Sequence, residues 1–375
     1  MNKILNASLA VALLLASAWG TVRAISPYAE AAAGNSSQEQ LRKQIVNGLN
    51  QRLSTLQVTY SGTASTLKNT IKATLDAAVA SDDYLHYIVK TYGYNASITG
   101  SKATITFKFT YWETAAQTAN VKKKIAEALR GILKAGMNDH QKEKAIHDWI
   151  VTHLAYDRSL ASHSAYDGLF KGKTVCQGYA LVTYEMMKQA GIPVKIVEGT
   201  SRGIAHTWNL VQIGGKWYQL DTTWDDPVPD VAGRTSYDYY NLTDAQLKPD
   251  HKWKPQSAYP LAVTGYDSVL TTLPAKDAAR KTFYEQMYEK LGFLYLTDDY
   301  SAANADELAN KIATAAALRL KELTIRYERG VTVRSDMKKA FNAQEDLAGF
   351  SYSYEDFPRT PENDKLLRIK FKYDE

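Results

Sequence analysis

The sequence predicts an α+β fold, with a central domain flanked by two small α/β modules. Apolar residues recur at helical spacing in several segments, as at Leu41, Ile45 and Leu49. Other segments alternate apolar and polar residues like half-buried strands, as in residues 104–112. The same order of helical and strand patterns occurs near both ends, whereas the middle differs. The 375 residues suffice for two or three domains.

The first residues are typical of a secretory signal. Residues 1–33 form the predicted signal peptide and linker, with Lys3 before an apolar run over residues 4–19. Cleavage is expected after Ala24 or, alternatively, after residues 31–33. The run is short for a membrane span, so we expect a secreted or cell-wall-associated protein without one after signal removal. An uncleaved N-terminal anchor is the alternative.

Charge restricts the classes of partner. The net charge of +5 is modest and is spread along the chain, without the dense Lys/Arg block of nucleic-acid binders. We therefore expect no nucleic-acid partner. The charge mildly favours an anionic surface, such as a cell wall, as a partner.

The N-terminal module (residues 34–115) and the C-terminal module (residues 263–375) are predicted to share the order helix, strand, helix, strand, strand. In the first, residues 84–94 and 104–112 are the last two predicted strands. The modules are interpreted as repeats of each other. The alternative is that two unrelated α+β segments share a common order.

The central domain, residues 116–262, has a different pattern. It begins with predicted helices over residues 121–137 and 143–153, followed by a loop-like stretch over residues 162–170. A helix over residues 175–190 then precedes a strand and a hairpin. The hairpin turn is Gly214-Gly215, a strong turn signal between two alternating runs.

Cys176 is the only cysteine of the chain and stands at the start of that predicted helix. Unpaired N–H groups and the helix dipole favour negative charge there, which would activate a thiolate and hold an oxyanion. The alternative is a small buried hydrophobic residue. The context of Cys176 favours the nucleophile.

A nucleophile also needs a base and a group that orients the base. If Ile213 pairs with Lys216 across the hairpin turn, Asp221 pairs with Trp208. His206 then lies on the same face as Trp208 and is a diagonal neighbour of Asp221. A purely structural His206–Asp221 hydrogen bond is the alternative.

These residues lie in motifs that resemble the transglutaminase-like superfamily. The motifs are Val175-Cys-Gln-Gly-Tyr179, Ala205-His-Thr-Trp-Asn209 and the run from Trp217 to Pro227, in that family's order of Cys, His and Asp. Upstream Lys144-Ala-Ile-His-Asp-Trp149 and downstream Asp250-His-Lys-Trp253 fit the same group. The resemblance covers about a third of the chain.

The resemblance implies a papain-like fold and a triad of Cys176 as nucleophile, His206 as base and Asp221 as orienting group. Members form a thioester and pass the acyl group to an amine or to water. A papain-type oxyanion glutamine is missing, because Phe170 stands six residues before Cys176. Three residues are instead candidate oxyanion or cleft residues: Tyr166, Gln177 and Trp208.

No metal and no cofactor are predicted. His147, His153 and His163 lie close in sequence, but their spacing fits no recognisable metal site. The sequence also lacks a calcium-binding loop of the kind animal transglutaminases use.

The predicted function is that of an exported cysteine-dependent enzyme that transfers acyl groups from amide bonds of protein or cell-wall peptide. Its outcome would be crosslinking, deamidation or peptide hydrolysis. The alternative is a non-catalytic surface protein that keeps the fold as a peptide-binding or adhesive cleft, with the flanking modules doing the binding.

Overall fold

A computed structural model describes residues 38–62, 64–226, 228–229, 234–254, 259–344, 347–360 and 363–373. The predicted signal peptide lies outside these residues. Within them the chain divides into two compact units, one ending at Val263 and one beginning at Thr264. Helices and sheets are mixed in both, as the α+β prediction requires. None of the helices in the described ranges is long and apolar enough to cross a membrane.

The first unit contains the predicted N-terminal module and the predicted central domain. Its helices are α1 (Gln38–Asn50), α2 (Leu67–Val79), α3 (Asp83–Ile88), α4 (Ala115–Ile132), α5 (Asp139–His153), α6 (Ala165–Lys171), α7 (Cys176–Gln189) and α8 (Asp244–Leu247). Its strands are β1 (Thr55–Ser61), β2 (Val89–Thr99), β3 (Lys102–Tyr111), β4 (Ala155–Tyr156), β5 (Lys173–Thr174), β6 (Val194–Ser201), β7 (Ile204–Ile213), β8 (Lys216–Leu220) and β9 (His251–Trp253).

Two expectations about these elements are wrong. Residues 84–94 were expected to form one strand, but α3 occupies their first part because the Asp82 side chain accepts from the N–H of Leu85 and caps a helix. Residues 162–170 were expected to be loop-like, but α6 begins there. A capping box between Ser164 and Asp167 starts that helix.

The core of the central domain is built around α7 and a sheet with strand order β8-β7-β6-β9. Most of α7 is buried, including the polar residues Gln177, Thr183 and Glu185. The predicted hairpin register is confirmed, because Ile213 pairs with Lys216 and Asn209 pairs with Leu220. The side chain of Trp208 lies in the apolar cluster that covers one face of this sheet.

The N-terminal module packs against the central domain through α3 and α7. The side chain of Gln177 on α7 donates to the carbonyl of Tyr87 at 2.8 Å, and the N–H of Ile196 on β6 donates to Asp83 at 3.1 Å. The buried Glu113 accepts from the hydroxyl of Tyr84. The Gln177 contact joins the module directly to the helix that begins at Cys176.

The second unit contains the C-terminal module. Its helices are α9 (Tyr266–Lys276), α10 (Lys281–Lys290), α11 (Ala305–Ala317) and α12 (Val333–Asn342). Its strands are β10 (Ser301–Ala302), β11 (Glu322–Tyr327), β12 (Gly349–Asp356) and β13 (Lys365–Lys372). The sheet order is β10-β11-β13-β12, and α11 and α12 belong to the same module.

Both modules contain the predicted element order. The N-terminal sheet has the order β1-β3-β2, so β3, the last strand of this module in the sequence, lies between the other two. In the C-terminal sheet the last strand, β13, likewise lies between β11 and β12. The modules differ in α3 and in the parallel strand β10. That they are repeats of each other stays a prediction.

Candidate active site

Cys176 is the first residue of α7 and is partly buried. The preceding Val175 is extended, and its N–H donates to the carbonyl of Ser162, which fixes the approach of the chain to the helix. The first N–H groups of a helix lack an intrahelical acceptor, so those of Cys176 and Gln177 can face an anion near the sulfur. The sequence-predicted nucleophile therefore stands where an oxyanion would be stabilised.

Gly178 allows α7 to start so close to the preceding strand. A Cβ atom at this position would lie 1.9 Å from Oγ1 of Thr174, a buried side chain that bonds the carbonyls of Ser162 and Ser164. A larger residue at Gly178 would therefore move the segment that carries Cys176.

His206 and Asp221 come from the hairpin, as the register argument predicts. Nε2 of His206 lies 2.6 Å from Oδ2 of Asp221, and both side chains are buried. Oδ1 of Asp221 accepts from the backbone N–H groups of Thr223 and Trp224 at 3.0 and 3.2 Å. The turn after β8 thus holds the carboxylate in place against the imidazole.

Cys176 lies against the other side of the His206 ring. Burial lowers the pKa of His206, but the negative charge of Asp221 and hydrogen bonds with Asp221 and Cys176 raise it to about 10. Burial likewise opposes ionisation of Asp221, yet the charge and hydrogen bond of His206 hold its pKa well below the usual range.

Aromatic rings surround the imidazole. Trp208 stacks on His206 with ring centroids 5.8 Å apart, and its indole N–H donates to Gln219 at 2.7 Å. Trp224 lies 6.2 Å from the His206 ring, with the guanidinium of Arg202 above its outer face. Trp208 is therefore a wall of the site, held by its own hydrogen bond.

Gln177 and Tyr166 have other contacts. The side-chain amide of Gln177 donates to the carbonyl of Tyr87. The backbone N–H of Gln177 is therefore the group of this residue that lies near the Cys176 sulfur. The ring of Tyr166 stacks on Phe170 at 4.5 Å, and its N–H donates to Glu113.

Tyr156, which the sequence did not single out, lies close enough to the thiol to be affected by it. Burial raises the pKa of the Tyr156 phenol, and the neighbouring Cys176 and Asp157 raise it further. Tyr156 belongs to the two-residue strand β4, which pairs with β5 just before Cys176. A strand that short gives almost no periodic signal in the sequence.

His251 is the second residue that sequence reasoning did not place in the site. Its Nε2 lies 3.1 Å from Oδ2 of Asp221, and its Nδ1 lies 2.5 Å from Asp250. The side chain is fully buried. The segment Asp250-His-Lys-Trp253 enters the sequence analysis only through the family resemblance. Its pairing with β6 cannot be predicted from the local sequence pattern.

His206, Asp221 and His251 offer three ligand atoms within 4.8 Å of one another, the kind of group that could hold a metal ion. The distance of 2.6 Å between His206 and Asp221 is that of a short hydrogen bond. Two ligands of one tetrahedral zinc ion, each about 2.0 Å from it, would be about 3.3 Å apart. The arrangement therefore matches a hydrogen-bonded network better than a set of ligands.

A further buried histidine contacts the loop after β8 at Asp225, four residues beyond Asp221. His147 on α5 contacts Asp225 through Nε2 and Asp148 through Nδ1, both at 3.1 Å. Tyr237 donates to Asp148 and stacks near the imidazole. Burial lowers the pKa of His147, but hydrogen bonds with Asp148 and Asp225 raise it above the usual value.

Known proteins match the part of the chain that contains these residues. Residues 126–222 match the model of the family described as the transglutaminase-like superfamily. The chain is 28% identical over 138 residues to the kyphoscoliosis peptidase of Mus musculus and 27% identical over 154 residues to that of Homo sapiens. These matches cover 32% and 35% of this chain but 21% and 23% of the relatives, so the chain matches about a fifth of their length.

Solved structures are also similar over part of the chain. A TGase structure is 15% identical, with a TM-score of 0.26, and the match covers 35% of this chain and 44% of that one. An arylamine N-acetyltransferase of Bacillus cereus is 12% identical with a TM-score of 0.23, over 28% of this chain and 49% of that one. On the family match and the curated relatives, residues 126–222 form a domain of the transglutaminase-like superfamily.

Proposed function

We propose that this protein is an exported enzyme that transfers acyl groups from amide bonds through a Cys176–His206–Asp221 triad and a thioester intermediate. The observation that carries the proposal is the hydrogen bond between Asp221 and His206, with Cys176 at the start of α7 close enough to raise the pKa of His206. These three residues supply a nucleophile, a proton acceptor and an orienting carboxylate in one cluster.

The first half of the reaction follows from the positions of these groups. The Cys176 sulfur, having lost its proton to His206, attacks the amide carbonyl and forms a C–S bond. The negative oxygen of the tetrahedral intermediate is stabilised by the N–H groups at the start of α7. His206 then gives its proton to the leaving nitrogen as the C–N bond breaks, which leaves a thioester on Cys176 and a free amine.

The second half returns the enzyme to its starting state. An amine or a water molecule gives a proton to His206 and attacks the thioester carbonyl. Collapse of this second intermediate breaks the C–S bond, and the thiolate–imidazolium pair of Cys176 and His206 is restored. An incoming amine gives a crosslink, whereas water gives deamidation or peptide cleavage, depending on which amide was attacked.

The substrate class proposed is protein or cell-wall peptide outside the membrane. The curated relatives are called peptidases and the family includes acyl-transferring enzymes, both of which act on acyl bonds of this kind. Export is proposed from the signal-like start of the sequence, and a cell-wall surface from its modest positive charge.

The test is incubation of the purified protein with a glutamine-containing protein and a labelled primary amine, followed by mass spectrometry. Amine incorporation, deamidation and cleavage give different masses, so each outcome of the second half-reaction is recognisable. Cys176→Ala is the matched control, because it removes the sulfur while leaving the helix start intact. If wild type and Cys176→Ala give the same masses, the proposal is wrong.

A further inference from the structure

The Asp221 carboxylate is surrounded by hydrogen-bond donors. Oδ1 accepts from the backbone N–H groups of Thr223 and Trp224, whereas Oδ2 lies 2.6 Å from His206 and 3.1 Å from His251. An ionised carboxylate has about four lone-pair positions for acceptance. His251 therefore occupies the last of these positions on a side chain that is 1% exposed.

His251 holds a carboxylate at each ring nitrogen. Nδ1 contacts Oδ1 of Asp250, while Nε2 contacts Asp221. Burial favours the neutral form of Asp250, but hydrogen bonds from Tyr239 and His251 bring its pKa below the usual value. Since ionised carboxylates only accept hydrogen bonds, both nitrogens of His251 must donate, and the ring is then an imidazolium.

The far side of Asp250 is anchored as well. Its Oδ2 accepts from the hydroxyl of Tyr239 at 2.5 Å and lies 3.4 Å from Nε of Arg202. Nη2 of Arg202 in turn donates to the Tyr239 hydroxyl at 2.9 Å. The network thus runs from an arginine at the surface to the buried carboxylate of the triad.

The groups around His251 come from several elements. His206 on β7 is the nearest titratable ring, with centroids 5.5 Å apart, and Trp208 and Tyr239 pack at 5.0 and 5.5 Å. The charged groups are Asp221 and Asp250 at its nitrogens, with Arg202 behind Asp250.

The backbone is shaped to bring His251 into this position. β9 pairs with β6, where Ser201 is opposite His251. A Cβ atom at Gly199 would lie 2.1 Å from the carbonyl oxygen of Lys252 and 2.9 Å from the Trp208 ring. A side chain at Gly199 would push β9 outward and withdraw His251 from Asp221.

We propose that His251 is a positioning residue of the active site: as an imidazolium between Asp221 and Asp250, it fixes the Asp221 carboxylate toward His206. The inference rests on the proposed acyl-transfer function. A second cation near the triad also opposes protonation of His206. His206 can then release its proton to the leaving nitrogen more readily than it could beside Asp221 alone.

The kinetic test compares wild type with His251→Gln, which keeps one N–H for Asp221 but removes the charge, and with His251→Ala. For His251→Gln we expect the basic limb of the kcat/KM profile to move up by about one pH unit, because a nearby positive charge is lost. For His251→Ala we expect kcat to fall about tenfold or more with KM little changed. Asp250→Asn, which loosens the anchor but keeps His251, should lower kcat less than His251→Ala does.

A purely structural role would lower the melting temperature of these variants without moving the basic limb. If His251→Gln keeps the wild-type pH profile and kcat, the positioning role is wrong.

The second arm needs no turnover. In Cys176→Ala protein labelled with ¹⁵N-histidine, we expect both nitrogens of His251 to carry a proton at pH 7, because each of them faces a carboxylate. A neutral tautomer at pH 7 in an active enzyme overturns the positioning role alone. Wild-type protein without activity overturns the proposed function, and the positioning role falls with it even if His251 is an imidazolium.

Discussion

Two of the buried histidines in the central domain contact different aspartates of one loop, and of these two only His206 lies beside Cys176 in the described structure. His206 faces Asp221 and His147 faces Asp225, through Nε2 in both cases. The two aspartates are four residues apart, and the N–H of Asp225 donates to the carbonyl of Asp221. The loop after β8 therefore carries the carboxylate partner of both rings.

The second ring nitrogen makes the difference. Nδ1 of His147 contacts Asp148, so both its nitrogens face carboxylates and the ring is fully enclosed. His206 is 8% exposed and lies close enough to Cys176 for that residue to raise the pKa of the ring. The His147–Asp225 pair thus links α5 to the loop and stabilises the fold, whereas the His206–Asp221 pair lies beside a thiol with which it can exchange a proton.

The largest expected effect is a loss of activity, and it distinguishes His206 from His147. His206→Ala should lower kcat/KM for acyl transfer by about a thousandfold or more, because both the proton acceptor and the donor to the leaving nitrogen are lost. Rates of amine incorporation measure this, with circular dichroism as a control for folding. A loss smaller than about tenfold in a folded variant would contradict the role of His206.

For His147 we expect the main effect to be on stability. His147→Ala leaves the buried Asp225 facing a cavity without its partner, and we expect the free energy of unfolding to fall by about 3–5 kcal/mol. Urea unfolding measures it. Adding Asp225→Asn to this variant should restore part of the loss, because the uncompensated charge is removed. If the free energy of unfolding falls by less than about 1 kcal/mol, the His147–Asp225 pair does not have this stabilising role.

The pH dependence of stability follows from the raised pKa of His206. Its folded pKa of about 10 exceeds the unfolded value of about 6.5, so its contribution is complete below pH 6.5 and is lost as pH rises toward 10. The stability difference between wild type and His206→Gln should therefore shrink over this window. Urea titrations at several pH values measure it, and a difference that grows with pH would contradict the assignment.

His147 provides the comparison for that experiment. Its pKa is also raised, so the difference between wild type and His147→Gln should change in the same direction with pH. Only the His206 difference should be accompanied by a change in the reactivity of Cys176. A parallel change of thiol reactivity in His147→Gln would remove the distinction between the two clusters.

The smallest effects are expected at the supporting donors. Trp208→Phe removes the indole hydrogen bond to Gln219 but keeps a ring beside His206, and Tyr237→Phe removes the hydroxyl that donates to Asp148. Each should cost about 1 kcal/mol of stability. Acyl-transfer rates should stay within about tenfold of wild type in both variants. A larger loss in Trp208→Phe would show that Trp208 does more than line the site.

Local signals account for the parts of the site that the sequence predicted. The Gly214-Gly215 turn fixes the hairpin register, and the register fixes the faces of His206 and Asp221. The start of α7 is predictable because helical periodicity follows Cys176 directly. These features depend on residues that are close in the chain.

The parts that the sequence missed depend on distant pairings. His251 reaches Asp221 because a three-residue strand pairs with β6, and His147 meets Asp225 across 78 positions. Neither pairing leaves a periodic pattern. The mistaken strand over residues 84–94 has a local cause of another kind, since the Asp82 cap outweighs the strand preference of the tyrosines that follow.

The alkylation rate of Cys176 by iodoacetamide across pH tests the central claim most directly, because it requires no knowledge of the substrate. If protonated His206 stabilises the thiolate, wild type and His147→Gln should be alkylated about tenfold or more faster than His206→Ala at about pH 6. The difference between wild type and His206→Ala should shrink as the pH approaches about 8.5, where a free thiol ionises. If wild type and His206→Ala instead share the profile of an ordinary thiol, Cys176 is not an activated nucleophile and the account is wrong.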